Sequence, residues 1–328
     1  MPRMSVGVGI VGYGAQFSMG KHHSDSVKAT EGLELAGIYD IEPERRTAAR
    51  EEQGVAVFDS YEGLVAELSI GLVVLVTPHD THAPLSIQAS RAGKHVMTEK
   101  AMCLNTKEAD SMIAAAKEAG KTLTVYQNRR WDGDFLTVKM VLESGAVGRV
   151  FQVESSVNGW WYPAGWRGIR ACGGGMLYDW GAHLVDQIVQ LILPAMPKIV
   201  FAVSHAGAHD VDIETQSTVT VLFDNGVSAE IDVGCMSHIA RPRWLIRGDK
   251  AAFHMPDWKH ATLKDQGGEV QIGVEEDRWA DLYKNLSRHL NYGEELAVKP
   301  EQSRTVMAVI DAAFASAETG KSVAIGND

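Results

Sequence analysis

The amino-acid sequence predicts a two-part protein, in which a doubly wound parallel sheet of α/β type is followed by an α+β unit with an open, mainly antiparallel sheet. The first observation is a regular alternation of short apolar strands and helical patterns up to residue 126. The second is a block of strand-like segments from Ile199 to Met255. The third is the length of 328 residues, since single hydrophobic cores stop growing near ~250–300 residues. We expect domains at 1–126 and 127–328.

The parallel sheet is predicted from apolar segments that are separated by helical patterns. The expected strands are Val6–Val11, Leu33–Tyr39, Leu72–Val76, His95–Met97 and Thr122–Tyr126. Strands that alternate with helices are joined by right-handed crossovers, which make neighbouring strands parallel. One intervening helix begins after Asn105 and has Glu108 three positions later, the pattern of a reciprocal N-cap, and it ends at Gly120.

After Tyr126 the pattern of the sequence changes. Helices are expected at Asp132–Ser144, about Gly175–Leu193, Asp277–Leu290 and Gln302–Ala317, and a long strand at Arg149–Val157. Two hairpins are expected in the strand block, at Asp224–Gly226 and at Gly248-Asp249, because these residues favour tight turns. A block of strands with helices elsewhere is typical of an α+β fold. We expect its open sheet face to pair with another subunit.

Composition and charge exclude several classes of function. A formal net charge of −11 argues against nucleic acid as a partner, because phosphate backbones are bound by clustered Lys and Arg. No apolar run approaches the ~20 residues of a membrane span, and the first residues lack the features of a secretory signal. Three widely spaced cysteines without a CxxC pair predict neither a zinc site nor a disulfide framework. We expect a cytoplasmic protein with reduced thiols and no metal.

A glycine turn after the first strand predicts a dinucleotide site. The pattern GxGxxG also matches from Gly7, but those glycines fall inside the strand, whereas the motif belongs on the turn that follows. In the register that starts at Gly12, that residue permits the tight turn and Gly14 lets the backbone approach a pyrophosphate. The third position is Phe17, so we expect the first helix to lie further from the strand than usual. The cofactor contacts expected from this turn are Gly12, Gly14, Ala15, Gln16 and Phe17.

Asp40, directly after the second strand, predicts the type of cofactor. A carboxylate at this position accepts hydrogen bonds from the ribose hydroxyls of NAD and repels the 2′-phosphate of NADP. Arg45 and Arg46 follow closely and soften this discrimination. We therefore expect NAD in preference to NADP.

Three further patterns carry groups that can do chemistry. The segment Thr77–His82 follows the third strand, and the pair Glu99 and Lys100 follows the fourth. Both segments lie at carboxyl ends of parallel strands, where open α/β sheets bind ligands. The third pattern starts with three glycines and continues into a helix, where Asp179 and His183 are four residues apart and share one face.

In this order, the motifs resemble those of the glucose–fructose oxidoreductase, inositol dehydrogenase and rhizopine catabolism family, written Gfo/Idh/MocA. The resemblance extends over essentially the whole chain, as far as Ser316–Lys321. The run Gln127–Asp132 resembles a branch that oxidises sugars and polyols. One departure is Ala101, where the family has proline, and we expect it to loosen the loop that carries Lys100.

The resemblance implies an N-terminal Rossmann domain that binds NAD, and a secondary alcohol on a sugar, inositol or related polyol as substrate. It implies that His183 is the base, which suits a side chain with an unperturbed pKa near ~6.5. Asp179 would assist His183, and Lys100 would stabilise alkoxide charge. A homodimer or homotetramer is also implied. Further cofactor contacts are expected at Thr77, Pro78, His82, Glu99, Lys100, Asn128, Trp166 and Arg167, and substrate contacts at Lys100, Arg129, Trp160, Tyr162, Asp179 and His183.

Some of these residues also have a structural interpretation. His82 suits the start of a helix, and the aromatic rings of Trp160 and Tyr162 stack on sugars or fill a core or an interface. Arg129 binds an acidic substrate group or pairs with a nearby carboxylate, for which the sequence offers Asp132 and Asp134.

Two other functions stay open at this point. One is cleavage of a glycosidic bond by transient oxidation with tightly bound NAD, and the other is a non-catalytic NAD sensor.

Arg130 has the same two interpretations as its neighbour Arg129, and Asp186 is expected to be structural.

Overall fold

The computed structural model describes residues 5–14, 16–207 and 209–326, with the backbone alone at Gln16. The chain forms two compact units, residues 1–127 with 279–304 (unit 1) and residues 128–278 with 305–328 (unit 2). The first change of unit lies within one residue of the expected boundary. The return of 279–304 to unit 1 differs from the expected division, in which each domain was one continuous segment.

Within its described residues, unit 1 contains a parallel sheet of six strands. The strands are β1 (Val6–Val11), β2 (Leu33–Tyr39), β3 (Ala56–Val57), β4 (Leu72–Leu75), β5 (His95–Thr98) and β6 (Leu123–Val125). Their order is β3-β2-β1-β4-β5-β6, and every neighbouring pair is parallel. The chain changes direction across the sheet at β1, so the carboxyl ends of β1 and β4 border the crevice where such sheets bind ligands. The doubly wound parallel sheet is confirmed.

Helices connect these strands and complete both units. They are α1 (Met19–Lys28), α2 (Pro43–Gln53), α3 (Tyr61–Ala66), α4 (His79–Arg91), α5 (Thr106–Glu118), α6 (Gly133–Glu143), α7 (Ala182–Ile192), α8 (Ala280–Tyr292) and α9 (Pro300–Thr319). The expected N-cap is present, since the Asn105 side chain accepts the Glu108 N–H at 2.9 Å. No helix in the described ranges is long and apolar enough to cross a membrane.

Unit 2 is built on a mixed sheet that is mainly antiparallel. Its described strands are β7 (Val150–Asn158), β8 (Pro197–His205), β9 (Gln216–Phe223), β10 (Ser228–Gly234), β11 (Trp244–Gly248), β12 (Ala252–Met255), β13 (Ala261–Asp265), β14 (Gly268–Ile272) and β15 (Val323–Ala324). Their order is β14-β13-β12-β11-β7-β10-β9-β8-β15, and only β7 and β10 pair in parallel among these strands.

Both expected hairpins are present in unit 2, between β9 and β10 and between β11 and β12. The expected end of the strand block at Met255 is wrong, because β13 and β14 continue the sheet to Ile272. This outer hairpin was not predicted, although Glu269, Val270, Gln271 and Ile272 alternate between polar and apolar residues; β14 is short and largely exposed, so the signal extends over only four residues.

One face of this sheet is buried and the other is open. Val219 and Ile231 on the buried face are at most 1% exposed. On the open face, Phe201, Val203 and Leu222 are each about two fifths exposed. This is the alternation expected of an antiparallel sheet that packs helices on one side.

Candidate functional site

The glycine turn after β1 has the geometry that a dinucleotide requires. Gly12 has a φ of 102°, and an added Cβ would lie 2.3 Å from the Val76 carbonyl oxygen, so only glycine fits there. Gly14 is exposed, and no described atom lies within 4 Å of the place where its Cβ would be. This open backbone fits the approach of a pyrophosphate.

The helix after this turn approaches the strand more closely than the sequence suggested. Phe17 and Ser18 have positive φ values of 57° and 50°, and α1 begins only at Met19. A Cβ on Gly20 would lie 2.4 Å from the Gly12 carbonyl oxygen. The expectation that Phe17 keeps the helix further out is wrong, because Gly20 supplies the close contact.

Ala15 lies outside the described residues, and the same holds for the side chain of Gln16.

Asp40 links the end of β2 to the glycine turn. Its side chain is buried, with Oδ2 accepting the Tyr13 N–H at 2.5 Å and Oδ1 accepting the Glu42 N–H at 2.8 Å. Each carboxylate oxygen retains a second lone pair, which fits a ribose hydroxyl. Arg46 donates to the Asp40 carbonyl at 2.8 Å and to the Ile41 carbonyl at 3.0 Å, so it fixes the same loop.

The segment after β4 is tied to the segment after β5 by a buried histidine. His82 is fully buried, with Nδ1 2.9 Å from the Ala101 carbonyl oxygen and Nε2 2.9 Å from that of Thr77. Burial lowers the pKa of His82, and these carbonyls oppose that effect only in part. Since α4 begins at His79, directly after Pro78, His82 is not a helix start. Both of its ring nitrogens face the backbone, which is a positioning role.

Two histidines hold the loop that carries Lys100 by contacting the backbone N–H and the carbonyl of Ala101, the residue after Lys100. Ala101 is buried, follows a cis peptide bond, and donates its N–H to His79 Nε2 at 3.0 Å. Its carbonyl faces His82. The expectation that alanine loosens this loop is therefore wrong, because two histidines fix its backbone.

Glu99 occupies a largely buried polar position beside Lys100. Its side chain is 12% exposed; Oε1 lies 2.9 Å from His23 Nε2, and Oε2 accepts the Lys100 N–H at 3.0 Å. Burial raises the pKa of Glu99, but the hydrogen bond from His23 and the charge of Lys100 lower it by a larger amount, so the pKa lies below its ordinary value.

Sequence reasoning missed His23. A signal was present, because Gly20, His23, Ser24 and Val27 form the buried stripe of α1, and a histidine in an apolar stripe needs a polar partner.

Three consecutive glycines open the helix that carries the expected catalytic residues in unit 2. Gly173 and Gly175 have φ values of 75° and 118°, which favour glycine. A Cβ on Gly174 would lie 2.4 Å from the Arg167 carbonyl oxygen and 2.7 Å from that of Ile169. Each glycine therefore has its own steric reason, and together they fix where the helix begins.

The expected helix at Gly175–Leu193 is a π-helical turn, Leu177–Gly181, that continues into α7. Asp179 lies in the π-turn and His183 in the first turn of α7. His183 is 5% exposed, and its ring meets that of Trp180 edge-on at 6.0 Å. Single π-turns inside helices occur frequently at functional sites.

Asp179 forms an ion pair with a residue from the preceding loop. Its Oδ1 lies 3.7 Å from Arg167 Nε, and the Arg167 guanidinium stacks 4.5 Å from the ring centre of Trp166. The structure thus brings a predicted catalytic residue together with two predicted cofactor contacts, Trp166 and Arg167.

Glu214 supports the start of the same helix. It is 5% exposed, its Oε1 accepts the Leu177 N–H at 3.0 Å, and a Cβ on Gly175 would lie 2.3 Å from that oxygen. Burial raises the pKa of Glu214, and the backbone N–H donors and Arg170 offset this only in part. A carboxylate at this end of a helix is favourable for the unpaired N–H groups. Nothing in the local sequence distinguishes Glu214, because its partners are distant in the chain.

The neighbouring arginines have carboxylate partners. Arg129 donates to Asp132 at 2.7 Å, and its guanidinium lies 4.3 Å from the ring centre of Trp180. Arg130 makes two hydrogen bonds, of 2.7 and 2.6 Å, to buried Asp186. This pairing agrees with the structural interpretation of Arg130 and Asp186. The other expected carboxylate, Asp134, pairs with Arg243.

The remaining expected contacts lie on loops of unit 2. Trp160 is 50% exposed and stacks on His238 at 4.2 Å, and Tyr162 is 57% exposed. Asn128 begins a short 3₁₀ turn, Asn128–Trp131, and is half-buried. Over the described residues, no group of three or more His, Cys, Asp or Glu side chains could hold a metal ion.

The parallel sheet of order 3-2-1-4-5-6, the glycine turn after β1 and the carboxylate after β2 define a Rossmann-type dinucleotide-binding protein. Comparison with family models makes this class specific. Residues 6–127 match the model "Oxidoreductase family, NAD-binding Rossmann fold", and residues 135–254 match the "GFO/IDH/MocA C-terminal domain". The chain belongs to the Gfo/Idh/MocA oxidoreductase family.

Individual relatives agree with this assignment. The chain is similar to the solved structure of an NAD-binding protein from Listeria innocua, with 32% identity, a TM-score of 0.89 and coverage of 98% of this chain and 97% of that one. It is 26% identical to scyllo-inositol 2-dehydrogenase (NADP(+)) IolW of Bacillus subtilis, over 97% of this chain and 96% of the relative. It is 35% identical to the uncharacterized oxidoreductase YdgJ of Escherichia coli, over 63% of this chain and 60% of that relative.

Proposed function

We propose that the protein is an NAD(H)-dependent oxidoreductase that interconverts a secondary alcohol and a ketone on a sugar, inositol or related polyol. The observation that carries this proposal is the helix start in unit 2, where His183 follows a π-turn that contains Asp179. The similarity to a relative named as an inositol dehydrogenase supports the substrate class.

The proposed mechanism assigns proton transfer to His183. Oxidation of a secondary alcohol releases the hydroxyl proton, and a neutral imidazole accepts it. The Asp179 carboxylate stabilises the imidazolium that results, and its ion pair with Arg167 holds it in place. Lys100 stabilises negative charge on the alcohol oxygen while the proton leaves. A bound nicotinamide would accept the hydride.

Unit 1 carries most of the residues proposed to hold NAD. The backbone at Gly12 and Gly14 would contact the pyrophosphate, and Asp40 would accept hydrogen bonds from the ribose hydroxyls. Further contacts are proposed at Ala15, Gln16, Phe17, Thr77, Pro78, Glu99 and Lys100 in unit 1 and at Asn128, Trp166 and Arg167 in unit 2, while His82 acts through the backbone that it holds.

The preference for NAD over NADP rests on Asp40 and is open to a direct test. The relative IolW is named for NADP(+), so family membership does not decide the cofactor. We expect Asp40→Ser to lower the ratio of kcat/KM with NAD to kcat/KM with NADP by at least about tenfold. The substitution removes a carboxylate that repels the 2′-phosphate of NADP. An unchanged ratio would assign the preference to other residues.

Substrate contacts beyond the catalytic group are proposed for exposed side chains of unit 2. The rings of Trp160 and Tyr162 offer surfaces for the apolar face of a sugar. Arg129 keeps donors that Asp132 does not use, since a guanidinium carries five N–H groups.

The open face of the unit 2 sheet is proposed to form a homodimer or homotetramer. Phe201, Val203 and Leu222 leave an exposed apolar strip on this face.

We also propose that the protein acts in the cytoplasm.

A substrate panel tests the reaction class. Absorbance of the reduced nicotinamide is followed with sugars, inositols and other polyols, in the presence of NAD or NADP. We expect net reduction of NAD with at least one of these substrates. Release of free sugar from glycosides without net reduction would favour glycosidic cleavage, and cofactor binding without turnover would favour a sensor.

A further inference from the structure

Unit 1 contains a buried hydrogen-bonded chain that ends at the Glu99 carboxylate. His23 is 0% exposed, with Nε2 2.9 Å from Glu99 Oε1 and Nδ1 2.6 Å from the Tyr283 hydroxyl. The three residues come from α1, from the end of β5 and from α8, so the chain joins elements that are distant in sequence.

The direction of these hydrogen bonds follows from the chemistry of the two ends. An ionised carboxylate only accepts, so His23 Nε2 donates to Glu99. A neutral imidazole has a single N–H, so Nδ1 accepts and Tyr283 donates its hydroxyl proton. Burial raises the pKa of Tyr283 well above its ordinary value, which keeps the phenol protonated as a permanent donor.

We propose that His23 is a positioning residue that holds the Glu99 carboxylate in one orientation, and that Tyr283 fixes the Nε2–H tautomer of His23. Glu99 then presents Oε2 to the backbone N–H of Lys100. Through this contact the hydrogen bonds of Tyr283, His23 and Glu99 fix the position of the backbone where the Lys100 loop begins. An effect of His23 on NADH binding is expected only if the proposed function is right. The tautomer of His23 does not depend on the proposed function.

This arrangement gives a physical reason for the return of residues 279–304 to unit 1. Tyr283 lies on α8 and is buried. The same helix is attached through Ser287, whose hydroxyl donates to the Glu31 carbonyl at 2.6 Å. The late segment of the chain therefore supplies the donor that orders a histidine near its beginning.

The tautomer is measured first, in the protein without added cofactor. Long-range ¹H–¹⁵N spectra distinguish a protonated from an unprotonated ring nitrogen. We expect His23 to carry its proton on Nε2 at neutral pH, and Tyr283→Phe to give a mixture of tautomers. A proton on Nδ1, or on both nitrogens, in the wild type would overturn the proposal.

Two amide substitutions then separate the two hydrogen bonds. In His23→Gln the amide nitrogen occupies roughly the position of Nε2 and keeps the bond to Glu99. In His23→Asn the amide lies near Nδ1 and keeps only the bond to Tyr283. We expect His23→Asn to weaken NADH binding by about tenfold or more, since a hydrogen bond to a charged group is lost, and His23→Gln to stay within about threefold of the wild type.

His22→Asn is the matched control, because His22 neighbours His23 on α1 but bonds to Tyr126, at 2.8 Å. Equal NADH affinity in the two His23 variants would overturn the proposal and leave His23 with a role in stability alone. A wild type that binds neither NADH nor NADPH would refute the proposed function, and the tautomer measurement would still decide the role of His23.

Discussion

Two largely buried glutamates, one in each unit, hold the segments that carry the proposed catalytic groups, and their pKa values are shifted in opposite directions. Glu99 faces His23 and lies beside Lys100, which lower its pKa despite burial. Glu214 faces backbone N–H groups at a helix start, and burial raises its pKa. The first segment is held by side-chain hydrogen bonds from several residues, and the second by the Glu214 carboxylate together with glycine-dependent backbone geometry.

This difference indicates which substitutions each region tolerates. The Lys100 loop depends on the donors and acceptors of His23, His79 and His82, so loss of a polar group should disturb it. The His183 helix depends on space at Gly174 and Gly175, so gain of a methyl group should disturb it.

The largest expected effect comes from Gly174→Ala in unit 2. The new Cβ would meet the carbonyl oxygens of Arg167 and Ile169 at 2.4 and 2.7 Å, and neither backbone group can move cheaply. We expect the free energy of unfolding to fall by roughly 2–4 kcal/mol and activity to be lost. Urea unfolding and the substrate panel measure both quantities. Gly273→Ala is the control, since nothing described lies within 4 Å of its Cβ position.

The next test compares Glu99→Gln and Glu214→Gln by urea unfolding between pH 3 and 8, which should give opposite pH dependences. The folded-state pKa of Glu99 is lowered, so its stabilising contribution is present above about 4.3, the unfolded value, and is lost as pH falls through the folded value. The folded-state pKa of Glu214 is raised, so wild-type stability relative to Glu214→Gln falls as pH rises from about 4.3 through the folded value.

Each unit of pKa difference corresponds to about 1.4 kcal/mol. The same sign of pH dependence in both variants would contradict the contrast between the two glutamates. Glu34→Gln, on the exposed side of β2, serves as the control for a general change of charge.

A smaller effect is expected from Gly20→Ala in unit 1. Its Cβ would lie 2.4 Å from the Gly12 carbonyl oxygen and 2.7 Å from Tyr13 Cα, so α1 must shift away from the glycine turn. We expect the KM for NAD to rise by about tenfold with a smaller change in kcat, because the turn is displaced rather than the catalytic residues. An unchanged KM would show that the close approach of α1 is unimportant for the cofactor.

Much of unit 1 could be predicted because its local signals agree. β1 and β2 have the expected bounds, since both are rich in apolar residues and β1 ends in a glycine turn. The role of Gly20 was not predicted, because the glycine motif places the close contact at position 17. The role of His23 was not predicted, because it depends on contacts with distant Glu99 and Tyr283. The missed signal was the buried stripe of α1, which contains both residues.

Less of unit 2 could be predicted, for a physical reason. The glycine triplet and the pair Asp179 and His183 were found as a motif, but the π-turn and the support from Glu214 arise from packing between segments far apart in sequence. The return of residues 279–304 to unit 1 also depends on packing alone. Local pattern indicates elements well and indicates their long-range supports poorly.

The most direct test of the central claim is hydride transfer in a single turnover, with enzyme in excess over NAD and with the best substrate from the panel. We predict that His183→Ala slows formation of reduced nicotinamide by about 10²–10⁴-fold, the usual contribution of a general base, while NADH affinity stays close to the wild type. His205→Ala, at an exposed position on β8, should leave the rate unchanged. An unchanged rate in His183→Ala would contradict the assignment of His183 as the base.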